Sequence, residues 1–406
     1  MMRNMNDSQN ILEPEDIDAW FEEEDDDEVV PNVDSGLTEQ QIDPGKKYAS
    51  SQLRVVRETK DYQLDYLQHA LKPGTELIDI SPAYQRRLRW PNKKKSLLIE
   101  SFLLNIPVPP IFLFERDYNE YEVIDGRQRL DAISSFLNND FALTGLEYWK
   151  ELNRKRFLDL PLVLKKGLLR RSLPAVVLLA ETNDTAGGEL DVRRVLFDRL
   201  NTGGIRLNPQ ELRNALYPGA LNALLISLAR SSIFTDIWGI PPYQVNEEFE
   251  PSDELLKNPL FASLADAELV LRFFALKDAV KNSRKGSLRL ILDRYMANNA
   301  NPQSDQIEEM RDEYLRSLRA LRDIFEEDTF RLPDTGRMSR PLYDALMVAI
   351  SLDSGLEVDT DASAIRRRLK DSLEAEDSYD VLVGRGNTIK AVLDRVELAG
   401  RILSAG

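Results

Sequence analysis

Residues Val123–Phe136 read V-I-D-G-R-Q-R-L-D-A-I-S-S-F, and no other stretch constrains the fold as tightly. It begins β-branched and apolar, and it ends with apolar residues at helical spacing. Between the two stands Asp125-Gly126, a tight-turn dipeptide, so a strand must pass directly into a helix. A helix start leaves backbone N–H groups without intrahelical partners and carries about half a positive charge. Such a place accepts an anion without further help. Gly126 permits positive φ or the close approach of a ligand to the backbone. Arg127 and Arg129 add guanidinium forks suited to phosphate. Cations are unfavourable at this end of a helix, so either a bound anion or the neighbouring Asp125 must offset them. The first alternative makes the turn a nucleotide-phosphate site.

The flanking sequence extends this unit. Ile111–Glu115 and Glu120–Ile124 are apolar and β-prone around a polar turn, which predicts a hairpin. Glu76–Ile80 is a short strand candidate, and Pro174–Leu179 reads as a buried strand. Residues 52–72 are expected as a helix stopped at Lys72-Pro73-Gly74. Lys93–Asn105 is expected as a helix ended by Pro107, Pro109 and Pro110, residues 150–172 as basic helix broken at Pro161, and Asp191–Leu200 as a helix. Asn208, Pro209 and Glu211 mark another helix start, with a cap, a first-turn proline and a capping box. Beyond Pro218 the pattern is almost entirely helical, over Leu221–Ala229, Leu264–Asp278, Leu288–Met296, Gln306–Phe325, Leu342–Leu352, Ala362–Leu373 and Ile389–Ala399. The chain therefore reads as α+β: a domain with a small mixed sheet over residues 51–218, then an all-helical domain over 219–406.

Composition removes several chemistries. There is no cysteine, which excludes disulfides and thiolate metal sites. The single histidine, His69, excludes multi-histidine metal sites and paired-histidine nucleases, and it sits where a surface or helix-end residue belongs. No metal ligand set is assigned, although carboxylate-only magnesium sites stay open. No apolar run approaches the roughly 18 residues needed to span a bilayer, and the N-terminus does not read as a secretory signal. A cytoplasmic protein is the expectation. The net charge of −16 is unevenly held: residues 1–45 carry 15 acids and one base, and the remainder 54 acids and 52 bases. Residues 1–50 are expected as a disordered acidic tail. Ile17, Trp20 and Phe21 before the acidic run Glu22–Glu28 leave two readings of it, a solubilising tail or a docking arm. The near-neutral body leaves a nucleotide or nucleic-acid site open.

Two further constellations could carry function. Tyr84-Gln85-Arg86-Arg87 with Arg89 and Trp90 places arginines beside aromatics, an arrangement that grips phosphates and stacks bases, or is plain surface. Arg199-Leu200-Asn201-Thr202-Gly203-Gly204 puts Arg199 and Asn201 before a diglycine, where amides face a ligand or cap a helix end. Lys93–Lys95, Arg154–Arg156 and Lys165–Arg171 are basic helix faces, either solvated or turned to nucleic acid.

Taken in order, these motifs resemble the N-terminal domain of GmrSD-type modification-dependent restriction systems, whose fold is similar to the ParB/sulfiredoxin group. The residues that carry the likeness are Tyr84-Gln85-Arg86, Pro107-Val108-Pro109-Pro110-Ile111, Asp125-Gly126-Arg127-Gln128-Arg129, Arg199-Leu200-Asn201-Thr202-Gly203, and Leu207-Asn208 with Glu211-Leu212-Arg213-Asn214. The resemblance implies binding of a nucleoside triphosphate, with magnesium an open addition, and in some members hydrolysis. It implies catalytic roles for Asp125, Gln128 and Arg129. Nucleotide contacts would fall to Tyr84, Gln85, Arg86, Gly126, Arg127, Arg199 and Asn201. Arg127 replaces the family's usual glutamine, which favours phosphate binding over turnover. Many relatives carry an HNH nuclease domain. With its one histidine outside the C-terminal half, this chain resembles a member without one, so DNA cleavage would need a partner nuclease. A DNA-binding adaptor without nucleotide chemistry is the alternative. A magnesium nuclease ranks last, since no compact acidic cluster with a lysine stands out.

Overall fold

The computed structural model describes residues 57–72, 77–79, 90–179, 208–247, 251–352, 358–384 and 388–404, with Leu12, Ile17, Trp20 and Phe21. The chain divides into two compact units, one of residues 36–206 and one joining 1–35 to 207–406.

The first unit is α+β. Its elements are β1 (Arg57–Gln63), α1 (Leu64–Ala70), β2 (Ile78–Asp79), α2 (Asn92–Leu103), β3 (Ile111–Asp117), β4 (Glu120–Asp125), α3 (Arg127–Leu137), α4 (Leu162–Leu169) and β5 (Ser172–Leu178). The five strands form one mixed sheet in the order β1-β5-β3-β4-β2. β3 and β4 are the expected antiparallel hairpin, turned through Asn119 in the left-handed region. β5 runs parallel to β3 and antiparallel to β1, and β2 runs parallel to β4. Pro174 is tolerated inside β5 because pairing with β3 begins only at Ala175. Ile111 and Leu113 of β3 and Ala175 and Val177 of β5 share a buried cluster with Leu64, Leu67, Ile99, Phe102, Leu130, Ile133 and Phe136 of the helices. Alternate strand residues thus meet the apolar stripes of α1, α2 and α3.

Two expectations fail in this unit. Arg57–Gln63 is strand and not helix, and the helix begins only at Leu64. The sequence R-E-T-K-D-Y-Q is polar, as suits an edge strand, and seven paired positions along β5 override its local pattern. Residues 150–172 hold only two short 3-10 turns and α4. Arg154 takes positive φ and interrupts the helix there, and Pro161 sits at the start of α4.

The second unit is helical: α5 (Pro209–Leu216), α6 (Ala220–Ala229), α7 (Ser232–Trp238), α8 (Asp253–Lys257), α9 (Pro259–Ala262), α10 (Ala265–Lys281), α11 (Leu288–Asn298), α12 (Ser304–Phe325), α13 (Arg340–Ser351), α14 (Ala362–Glu374), α15 (Glu376–Val383) and α16 (Ile389–Leu403). Every helix expected beyond Pro218 is present. Asn208 caps α5 through its side chain to Glu211 N, in the expected capping box. Among the described residues no single helix is long and apolar enough to cross a membrane.

The helical interior holds charge. Arg213 Nε lies 2.7 Å from Asp293 and its Nη1 3.2 Å from Glu268. Arg272 donates to both oxygens of Asp344. Arg272 and Arg340 each lie 3.8 Å from Glu268. These side chains are almost fully buried, and each charge is matched, as burial requires. The network corrects one boundary. The helix at 209–216, assigned to the sheet domain from sequence, packs into the helical unit because Arg213 belongs to this network. A second correction concerns the acidic tail. Ile17 and Phe21 are 1% and 5% exposed and join the helical unit's core, against the expectation of disorder at these positions; apart from Leu12 and Trp20, the rest of residues 1–50 lies outside the described residues.

Candidate anion site at the turn between β4 and α3

The site begins with an irregularity in the hairpin. Phe112 pairs with Asp125 but Leu113 pairs with Val123, so Ile124 is an extra residue in β4. A bulge of this kind bends a strand and re-aims the residues after it; here those residues are Asp125-Gly126. Gly126 takes φ 97°, and a Cβ added there would lie 2.2 Å from Ile111 Cγ2. The glycine is required by the turn and by Ile111, which fills the space beside it. Of the two uses the sequence offered, positive φ is therefore the one realised, and the approach of a ligand over this Cα is not.

α3 starts at Arg127 with no side-chain cap and no acid in its first turn. Arg129 folds back instead of projecting outward. Its Nη1 donates to the carbonyls of Pro109 at 2.6 Å and Pro110 at 3.1 Å. Its Nη2 meets Asp125 Oδ2 at 2.6 Å. Arg129 thus ties the proline turn before β3 to the strand–helix turn after β4. The carboxylate neutralises this arginine, as one of the two sequence readings held. Gln128 Oε1 accepts from Trp90 N at 3.0 Å, which fixes the lead-in to α2 against the start of α3.

α2 also opens on cations. Lys93 and Lys94 are exposed, and Lys94 lies 4.4 Å from the centre of the Trp90 ring, within cation–π range. Lys95 is buried and pairs with Asp131 of α3 at 2.6 Å. Farther along α2, Glu100 is buried and accepts from the backbone N–H groups of Glu147, Tyr148 and Trp149 at 2.8–3.1 Å. Burial pushes the Glu100 carboxyl up, but these three bonds outweigh it and hold it below the ordinary value. The two helix starts and the loop after α3 are therefore fixed by polar contacts.

The structure brings Asp125, Gly126, Arg127, Gln128 and Arg129 together with Trp90 and Pro109-Pro110. Tyr84, Gln85, Arg86, Arg199 and Asn201 lie outside the described residues. Arg213 and Asn214 are taken up by the interior of the helical unit, Asn214 accepting from Asn222 Nδ2 at 2.7 Å. Glu100 was not foreseen; an acid set among Leu97, Leu98, Ile99 and Phe102 was the available signal. Among the described residues no group of three or more His, Cys, Asp or Glu could hold a metal ion. What the turn offers is electrostatic: first-turn N–H groups and guanidinium on a rigid frame.

No curated protein and no solved structure matches the chain. The family model of the GmrSD restriction endonuclease, N-terminal domain, matches residues 67–218, and these take in every motif from Tyr84-Gln85-Arg86 to Glu211–Asn214. Over residues 67–218 the chain is similar to the GmrSD N-terminal domain.

Proposed function

We propose that the turn between β4 and α3 binds the phosphates of a nucleoside triphosphate with its magnesium, and that the chain is a nucleotide-dependent sensor or regulatory component of a restriction or phage-defence system. The observation that carries the reading is the start of α3, a helix N-terminus with no side-chain cap, held on a turn that Arg129 and Asp125 brace, with Arg127 in its first position. A phosphate suits the partial positive charge and backbone N–H groups of such a helix start, with a guanidinium beside it. The phosphate contacts fall to the first-turn N–H groups and Arg127. Asp125, Gln128 and Arg129 each have a structural task, so they position the turn, and the reading favours binding over turnover. Tyr84, Gln85, Arg86, Arg199 and Asn201 stay assigned to the nucleotide by resemblance, as does the ParB/sulfiredoxin likeness of the sheet unit. DNA cleavage is assigned to a partner nuclease.

Calorimetric titration of the full chain with ATP and with GTP in magnesium tests this. Arg127→Glu should weaken binding tenfold or more, the worth of one charge-assisted contact. Binding of neither nucleotide, or equal binding by the variant, refutes it. A second reading, a DNA-binding adaptor, is favoured by the exposed Lys93, Lys94, Arg154, Lys155, Lys166 and Arg170 of the sheet unit. It requires DNA affinity that falls steeply with salt.

A further inference from the structure

Ile17, Trp20 and Phe21 stand at i, i+3 and i+4, one face of a helix, in the sequence E-P-E-D-I-D-A-W-F-E-E-E. All three lie against the helical unit, far from it in the chain. Ile17 and Phe21 are buried in its core, with Leu12 and Trp20 packed beside them. Trp20 meets Trp238 edge-on at 6.2 Å. Arg340 does two things for Trp20: Nη1 donates to its carbonyl at 2.8 Å, and the guanidinium sits 5.3 Å from its ring centre.

The residues that receive the segment also pack on one another. Trp238 of α7 packs on Phe330 at 6.2 Å and on Tyr343 of α13 at 5.6 Å, and Phe330 packs on Tyr343 at 5.0 Å. Arg340 is held from behind by Glu268. An aromatic floor with one backbone-reading arginine is what a groove for an amphipathic helix provides, and the anchors at i, i+3 and i+4 are what such a helix brings.

We infer that this face is a peptide-docking site and that Ile17, Trp20 and Phe21, with Leu12, are the anchors of its built-in ligand, bound in cis and exchangeable. The class of ligand is a short acidic helical peptide with Ile, Trp and Phe on one face. While the segment is docked, its tethering to the same chain keeps its effective concentration high and the site closed to outside peptides.

The test uses the full chain with a protease cleavage sequence inserted between residues 36 and 45. After cleavage and exchange, a fluorescein-labelled peptide of residues 8–30 is titrated and followed by anisotropy. The cut protein should bind it at least tenfold more tightly than the uncut chain. A peptide carrying Ile17→Asp and Phe21→Asp should bind the cut protein at least tenfold more weakly than the native peptide. Any of four results overturns the proposal. These are no binding by the cut protein, equal binding of the two peptides, equal binding by cut and uncut protein, and loss of the helical unit's cooperative thermal transition when the fragment leaves, which would make the segment part of the core. Sedimentation of the uncut chain should show no concentration-dependent dimer. A dimer abolished by Ile17→Asp would make the segment of a second copy the occupant and overturn the assignment in cis.

Discussion

Arg129→Ala separates holding the turn from touching a ligand. The side chain makes two hydrogen bonds to the carbonyls of Pro109 and Pro110 and one to Asp125. Its side chain is 12% exposed and that of Asp125 is 32% exposed. A hydrogen bond to a charged group is worth about 1.5–3 kcal/mol when lost without replacement. Pro109 and Pro110 are themselves exposed, so water takes over part of each loss. The low end applies, about 2–4 kcal/mol for the whole clamp. With a urea slope of roughly 2 kcal/mol/M, the unfolding midpoint of the sheet unit should fall by about 1–2 M without any nucleotide present. Arg129→Lys should not rescue it, since an ammonium cannot span three acceptors in the guanidinium's fork. Asp125→Asn should cost about 1 kcal/mol, and the double variant should cost less than the sum of the two. If Arg129→Ala leaves the midpoint unchanged, the clamp is not what holds the turn, and Arg129 is then free to serve as a ligand contact.

The same geometry sets three other outcomes. Gly126→Ala combines a positive φ, about 1–2 kcal/mol, with a collision against Ile111, about 1–3 kcal/mol, so thermal unfolding should show a loss of roughly 2–5 kcal/mol, with or without nucleotide. Glu100 has a folded pKa below its unfolded one, so its contribution is full above the unfolded carboxylate value, about 4.3, and is lost as pH falls through the folded value. Glu100→Gln should therefore lower stability at neutral pH by about 2–3 kcal/mol and flatten the decline below pH ~4.5 seen in the native chain, read by urea titration across pH. Arg213→Ala leaves Glu268 and Asp293 without that cation in the helical interior, and should cost about 3–5 kcal/mol in the guanidinium midpoint of the helical unit.

The strand–turn–helix at Val123–Leu137 was legible because two periodicities meet at an Asp-Gly dipeptide. The long helices beyond Pro218 were legible because their apolar stripes run for several turns. α7, α8, α9 and α15, of four to eight residues, are too short to show a period, and they were missed. β1 was misread because an edge strand takes its conformation from a partner more than a hundred residues away in the chain. At the candidate site the residue types were legible and their tasks were not. Whether Asp125 or a ligand answers Arg129 depends on where the Pro109-Pro110 carbonyls lie, and no local pattern states that. The same holds at the end of the family match. Arg213 and Asn214 belong to a motif within residues 67–218, yet their partners Glu268, Asp293 and Asn222 lie beyond it. Trp20 shows a similar limit, since its contact with Arg340 spans 320 positions.

Backbone hydrogen exchange at the start of α3 bears most directly on the central claim. Full-length protein would be followed with and without a nucleoside triphosphate and magnesium, at single-amide resolution over residues 123–137. Nucleotide should slow exchange at the first-turn amides of Arg127, Gln128 and Arg129, and Arg127→Glu should remove the effect. Nucleotide protection that bypasses these amides, or no protection anywhere in the sheet unit, would contradict the assignment of this turn to a bound phosphate.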